Sequence, residues 1–449
     1  MRDSFGSKIG LILATAGSAV GLGNVWRFPF MTGQNGGAAF IVIYILFILL
    51  LGIPGMVCEF IIGRHAASNA ARAYDRLSQG KPWKHVGVLG IVTSTIILGF
   101  YSVVAGWCLQ YLYASFAGEI LGDADYIANY FTTYSSGVVR PIAWGVGFVL
   151  LTHLVVVRGV REGIEKFSKM MMPTLFLLLL VLVVASCMLP GAMKGVEFLF
   201  KPDFSKVDSH VLLAALGQAF FSLSLGTACL CTYASYFGRK TNLVRSAVQI
   251  AFIDTCVAIL AGLMIFPAAF SVGINPDSGP SLIFITLPNV FRQAFASMPL
   301  VGYVTSILFY ALLSLAALTS TISMHEIGTA FFHEEMKKPR ATAAWVVTAI
   351  AIVICVFSSL SVGAVEQLQL FGMSIMDCCD RLTAQIMLPA GGFLTCCYIG
   401  WFASRQKVYE EFTNESTVNR SLFKVFIVLV RYVCPLFIFL IFLDQLGIL

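Results

Sequence analysis

Two stretches of this 449-residue chain combine residues that loosen a helix with small oxygen-bearing side chains. One is Gly17-Ser18-Ala19-Val20-Gly21-Leu22-Gly23-Asn24, and the other is Ser222-Leu223-Ser224-Leu225-Gly226-Thr227. Glycine costs about 1 kcal/mol in a helix interior, so three glycines between positions 17 and 23 invite the chain to unwind. Unwound backbone presents carbonyl oxygens that no helical amide claims, and Asn24 and Ser222 add polar side chains. Oxygen-only donor sets suit hard cations. The amide ends of half-helices suit a carboxylate. A third feature is Asp254, a carboxylate within an apolar run, which is expensive there and marks a function by default. The chemistry indicated is the holding of small cations and an anionic group. Close helix packing through small residues is the plainer account of the glycines, but it has no use for Asn24 or Ser222.

Other chemistries find no support. His325-Glu326 opens like a zinc-protease motif, but Thr329 stands where the second histidine belongs. The six histidines do not cluster, and no Cys pair has zinc spacing. Of the twelve cysteines, Cys58, Cys108, Cys187, Cys229, Cys231, Cys256, Cys355, Cys396, Cys397 and Cys434 lie in apolar runs. There they act as small hydrophobes. Cys378 and Cys379 are adjacent and do not bridge each other. No nucleophile–base pair or paired carboxylates are set out for catalysis, so the chain is not read as an enzyme. No organic cofactor is expected.

These residues must be positioned by elements within a bilayer. Hydrophobic residues make up 58% of the chain, charged residues 12%, and mean hydropathy is +0.86. A soluble domain carries about twice that charge. The apolar runs reach the roughly 20 residues a crossing needs and do not alternate as barrel strands do. Eleven spans are expected, at about 8–32, 38–63, 86–118, 139–157, 163–188, 210–237, 243–271, 298–332, 342–362, 376–403 and 422–446. They form a single transmembrane domain over 1–449, with no cleavable signal peptide. With the N-terminus in the cytoplasm, 21 Lys and Arg fall on the inner side and 7 on the outer, with Arg431 inside the last span. That bias sets the N-terminus inside and the C-terminus outside. The net charge of +6 is a topology signal, not a nucleic-acid surface.

The two loosened stretches fall in spans 1 and 6, the first members of two five-span sets, about 8–188 and 210–403, with 422–446 as an extra helix. Corresponding broken helices in two halves point to the midplane site of an inverted-repeat transporter.

These motifs resemble the neurotransmitter:sodium symporter family, in particular its bacterial amino-acid members. The resemblance rests on GSAVGLGNVWRFP at 17–29, NGGAAF at 35–40, GQAFFSLSLG at 217–226, TYASY at 232–236, FITLP at 284–288 and LTST at 318–321. It covers most of the chain. It implies an all-α membrane protein with the leucine-transporter-like fold, a 5+5 inverted repeat with helices 1 and 6 broken. The implied activity is sodium-coupled uptake of an amino acid across the cell inner membrane by alternating access. The implied partners are the amino acid and the lipid bilayer. A channel or a non-transporting receptor on the same scaffold are the alternatives.

By resemblance, two sodium sites are expected. One uses Asn24, Ser222, Asp254 and the carbonyl of Ala19, with the substrate carboxylate. The other uses the carbonyls of Gly17, Val20 and Ala316 and the hydroxyls of Thr319 and Ser320. The family commonly has Asn where this chain has Asp254, and Ala258 falls where animal relatives have a chloride-site serine. Asp254 is therefore expected to supply the negative charge in place of chloride, or alternatively to couple protons. The substrate pocket is expected from Ser18, Ala19 and Gly23 of span 1, Ile97 and Tyr101 of span 3, Phe221, Ser222, Ser224 and Thr227 of span 6, and Ser320 and Met324 of span 8. Monoamine members carry an Asp where this chain has Gly21, which favours an amino acid. Thr227 replaces a bulky Phe of leucine-transporting members, which favours an aromatic or large aliphatic side chain. Arg27, Asp380 and Gln218 match an extracellular gate, and Arg2, Phe5, Ser235, Tyr236 and Glu334 an intracellular one. Glu59 is expected to brace the broken part of span 6. Gly163 and Pro173 bracket nine residues of span 5 that some bacterial relatives unwind, an ordinary proline kink being the alternative.

Overall fold

The computed structural model describes residues 4–273, 282–414 and 420–448. Among them, nine helices are long and apolar enough to cross a membrane. These are Ala38–Ala66, Lys84–Ala117, Val139–Val156, Val160–Cys187, Leu243–Ser271, Pro299–Met336, Arg340–Ser361, Ile375–Phe402 and Arg420–Gln445, corresponding to spans 2–5 and 7–11. Span 1 is a bent pair, Lys8–Ala19 and Gly23–Gln34, with a 54° change of direction. Span 6 is two pieces, Ser209–Ser222 and Cys229–Ala234, each too short to cross alone.

Packing sorts the spans into two groups. Spans 3, 4, 8 and 9 pack on one another, with span 8 lying along span 3. A buried polar tie joins three of them. His153 of span 4 and His325 of span 8 meet Thr348 of span 9 at 2.8 and 2.9 Å. Thr348 in turn donates to the Ala344 carbonyl, so its oxygen is free to accept from both imidazoles and neither facing nitrogen is stranded. Spans 1, 2, 6 and 7 form the second group, span 2 packing on both pieces of span 6. Span 5 lies against spans 7, 8 and the first half of span 1.

The connections add elements that hydropathy does not reveal. Helices Ala70–Ser78 and Arg405–Thr413 lie between spans 2 and 3 and between spans 10 and 11. Helix Ala124–Ser135 follows span 3, and its Phe131 stacks on Phe284 at 5.2 Å. A two-residue ladder, Gln369–Leu370 with Met373–Ser374, is the one strand pair among the described residues. All twelve cysteines are free thiols.

Candidate functional site

The break in span 1 is built by redirected amides. In a continuous helix the amides of Gly21 and Leu22 would bond the carbonyls of Gly17 and Ser18. Here the Gly21 amide donates to Asn24 Oδ1 at 3.1 Å and the Leu22 amide to the Tyr101 hydroxyl at 3.1 Å. Val20 at the turn is extended, with φ −71° and ψ 109°. A Cβ on Gly21 would fall on Ser320 Oγ and lie 3.3 Å from the Tyr101 hydroxyl, so glycine is what lets span 1 approach spans 3 and 8.

The break in span 6 runs from Leu223 to Ala228, with positive φ at Ser224 (53°), Gly226 (82°) and Ala228 (59°). Gly226 is doubly required. Its φ suits glycine, and a Cβ would land on the Leu388 carbonyl and 2.8 Å from the Gly392 amide of span 10. Glu59 of span 2, fully buried, accepts from the Gly226 amide at 2.8 Å and the Cys231 amide at 3.3 Å. Two amides that the break would orphan in a dry interior are thereby satisfied.

The breaks bring two oxygen clusters together. In the first, Asp254 accepts from Asn24 Nδ2 at 2.7 Å, Ser222 Oγ at 2.7 Å and the Tyr44 hydroxyl at 3.4 Å. The Asp254 side chain has no exposure. In the second, Thr319 Oγ1 lies 3.1 Å from the Val20 carbonyl and 2.8 Å from the Ala316 carbonyl, with Ser320 Oγ 3.5 Å from the Val20 carbonyl. A Cβ on Gly17 would sit 3.5 Å from Thr319 Cβ and 3.4 Å from Met172 Sδ, which puts Gly17 on this cluster beside span 5. Both clusters gather oxygens of the kind hard cations take, with Asn24 in the first turning its amide NH₂ to Asp254 and its Oδ1 to the Gly21 amide. Among the described residues no group of three His, Cys, Asp or Glu could hold a softer metal.

Around the clusters the expected pocket residues divide. A Cβ on Gly23 would lie 3.5 Å from the Phe221 ring, and Tyr101 and Ser320 flank Gly21. Ser18 turns back to the Thr15 carbonyl at 2.7 Å. Ser224 holds the left-handed turn, and the Thr227 hydroxyl spans it, donating to the Ser224 carbonyl at 2.7 Å and accepting from the Cys229 amide at 3.1 Å. Thr227 thus caps the second half of span 6. Ile97 is half-buried, and Met324 packs against Leu98, Val149, Val347 and Ala351.

Of the expected extracellular gate, Arg27 lies over the Phe221 ring at 4.0 Å. Arg27 and Asp380 are within electrostatic reach, but their contact is not a short ion pair in this conformation. Gln218 is fully buried with both amide atoms unpaired. Of the expected intracellular gate, Arg2 lies outside the described residues. Phe5 packs edge-on against Tyr233 and Tyr236 at 6.0 and 6.1 Å. Ser235 donates to the Thr232 carbonyl. Glu334 accepts from the Asn69 amide and side chain, both at 2.9 Å.

Gly163 and Pro173 are both helical here, Gly163 in a wide turn over Val160–Glu165 and Pro173 inside Lys166–Cys187. Gly163 has a packing reason beyond helix weakness, since a Cβ there would strike the Val155 carbonyl of span 4.

Several residues escaped the sequence reading. Tyr44 completes the Asp254 cluster. Glu326 forms a buried ion pair with Arg340 and accepts from the Tyr236 hydroxyl at 2.6 Å. Arg340 also donates to the Val156 carbonyl at 3.0 Å. Glu165 accepts from Ser7 Oγ at 2.9 Å and pairs with Lys169 at 2.6 Å, tethering the start of span 1 to span 5. The signal for the two carboxylates was their place on apolar spans, and for Glu326 the abandoned zinc reading of its neighbour hid it.

With the geometry in place, comparison with known proteins is informative. Residues 2–124 and 124–448 match the model of the sodium:neurotransmitter symporter family. An uncharacterised sodium-dependent transporter of Bacillus subtilis, YhdH, is 40% identical over 99% of this chain and 97% of its own length. An uncharacterised sodium-dependent transporter of Haemophilus influenzae is 32% identical over 99% and 98%. The sodium- and chloride-dependent taurine transporter of Bos taurus is 27% identical over 91% and 73%. Among solved structures, MhsT in complex with L-phenylalanine superposes with a TM-score of 0.89 at 39% identity, covering 99% of this chain and 100% of that one.

Proposed function

This chain belongs to the sodium:neurotransmitter symporter family, and from that premise we propose that it imports an amino acid with a hydrophobic or aromatic side chain, driven by sodium at two sites and without chloride. The observation that carries the reading is the pair of oxygen clusters at the two broken spans, Asn24–Ser222–Asp254 and Val20–Ala316–Thr319–Ser320. The crystal structure of MhsT holds L-phenylalanine, which supports an amino acid of that class here.

In this reading the substrate carboxylate sits against the freed end of span 1 beside Tyr101, and completes the sodium site at Asp254. Because the two ligands share a site, each raises the affinity of the other by the same factor. Asp254 places a fixed negative charge where other members would need an anion. Gly21 leaves no room for the acidic side chain that would serve a carboxyl-free amine. Alternating access follows from spans 1, 2, 6 and 7 rocking against spans 3, 4, 8 and 9. Arg27 moves from the Phe221 ring toward Asp380 as the outside shuts. Inside, Phe5 and the Tyr236–Glu326–Arg340 contacts part. The protein sits in the cell inner membrane with its N-terminus in the cytoplasm, following the Lys and Arg distribution.

The test is binding to the purified, reconstituted protein, scanned over the twenty amino acids with sodium or potassium as the cation. Sodium-dependent binding of phenylalanine, tryptophan or leucine is expected, with saturable uptake into vesicles. Binding that ignores sodium, or flux that does not saturate, refutes the proposal.

A further inference from the structure

A cavity of about 640 Å³ opens between the end of span 4 and the start of span 5, and no residue of either broken helix lines it. Its wall contains Arg158, Glu162 and Lys166 with Val155, Phe167 and Met170. Arg158, Glu162 and Lys166 are exposed, and among the described residues none of the three has an ion pair or a side-chain hydrogen bond. The wall itself is basic by two cations to one carboxylate, and Lys169 on the same segment is already paired with Glu165. Below the mouth the surface turns apolar. Leu154, Met170, Leu177 and Val184 are each more than half exposed and run down the bilayer-facing sides of spans 4 and 5.

We propose that this cavity is a binding site for an anionic phospholipid of the cytoplasmic leaflet, with phosphatidylglycerol the best chemical fit. Arg158 and Lys166 pair with the phosphodiester, as basic pockets between membrane helices do. Glu162 accepts from headgroup hydroxyls, and an acyl chain follows Met170 and Leu177. Two cations against one carboxylate leave a net charge of one on the wall, which a singly anionic lipid neutralises and a zwitterionic one does not.

Both walls of the cavity are tied to the inner side of the transporter. The span 4 wall ends at the Val156 carbonyl, which Arg340 holds while pairing with Glu326, the partner of Tyr236. The span 5 wall bears Glu165, which holds Ser7 at the start of span 1. Gly163 packs the two walls together at the Val155 carbonyl. A lipid wedged here biases how far span 5 separates from span 4, and thereby the opening of the cytoplasmic side. This rests on the orientation assigned above, but the binding itself is independent of transport.

The test is native mass spectrometry of the full chain released from vesicles of phosphatidylcholine alone, of phosphatidylcholine with phosphatidylglycerol, and of phosphatidylcholine with phosphatidylethanolamine. Phosphatidylglycerol is expected to be retained, and the double variant R158Q/K166Q to lose that retention by about thirtyfold, from roughly 1 kcal/mol for each cation near the surface. A control variant, K84Q/R405Q, removes two cytoplasmic-side cations elsewhere and should retain the lipid. Thermal unfolding establishes that each variant is folded. Equal retention of the three lipids, or unchanged retention by the folded R158Q/K166Q, overturns the proposal. Preferred retention of phosphatidylethanolamine overturns the anionic assignment. The lipid readout needs no substrate, so a failed substrate proposal and a failed lipid site are distinguishable.

Discussion

Replacing Asp254 by Asn tests the proposed source of negative charge. The carboxylate accepts from three donors, Asn24, Ser222 and Tyr44, at 2.7, 2.7 and 3.4 Å. An amide keeps one acceptor oxygen and turns an NH₂ toward groups that already donate. At least one of the three contacts is lost, and a hydrogen bond to a charged group contributes about 1.5–3 kcal/mol. The charge itself matters more to sodium. A unit charge about 4 Å from a cation interacts by roughly 4 kcal/mol at an effective dielectric of 20. Partial relaxation reduces that, so the sodium half-saturation of D254N should rise by about ten- to a thousandfold in chloride-free gluconate buffer. Chloride should recover part of the loss in D254N and do nothing for the native protein. The assay is sodium-dependent binding of radiolabelled substrate with chloride or gluconate as the anion. Strict chloride dependence of the native protein, or an unaltered sodium half-saturation in D254N, refutes the reasoning.

Gly21→Ala places a methyl group on Ser320 Oγ and near the Tyr101 hydroxyl. Overpacking costs about 1–3 kcal/mol of stability, so the unfolding temperature should fall, and displacement of Ser320 and Tyr101 should reduce substrate affinity in equilibrium binding by roughly five- to a hundredfold. Pro173→Ala returns an amide donor to the interior of span 5 and removes a helix penalty of about 3 kcal/mol. If span 5 unwinds to release sodium, stopped-flow release should slow about tenfold or more, and an unchanged rate removes that step. Gly163→Ala should act in the opposite sense, because its methyl group strikes the Val155 carbonyl and disfavours the wound helix. Glu411 bonds Arg64 at 2.6 Å and His65 at 3.2 Å. Burial pushes its carboxyl up, but the contacts with His65 and Arg64 outweigh this and hold it below its ordinary value. That stabilisation, on the order of 1–2 kcal/mol, is complete above the unfolded value near 4.3 and disappears as pH falls through the lower folded value. Thermal unfolding of native protein and E411Q should therefore differ at pH 7 and converge in acid. A constant gap refutes the assignment.

Much of this architecture was readable from hydropathy and glycine placement. The clustered glycines of 17–23 mark a bend of 54°, and Gly226 marks the turn in span 6. Glu59 was readable too, since a carboxylate buried at that depth needs donors and the broken span supplies amides. What the sequence concealed depends on which face each side chain turns. Thr227 and Ser18 read as pocket residues, but both hydroxyls satisfy nearby backbone, as small hydroxyl side chains often do. Arg27 and Asp380 read as a gate pair, but the guanidinium finds an aromatic face at 4.0 Å in this conformation. Tyr44 gave no signal, because a tyrosine in an apolar run is indistinguishable from packing until its hydroxyl is seen beside Asp254.

The imidazole–hydroxyl–imidazole tie through Thr348 has a mechanical consequence. Spans 4, 8 and 9 cannot slide past one another without stranding ring nitrogens in a dry interior. They behave as a keel. Thr319 and Ser320 ride on that keel, so in the proposed transport cycle half of the proposed second sodium site stays put. The moving half is the frayed end of the first crossing, and lifting it away is what would let the ion go.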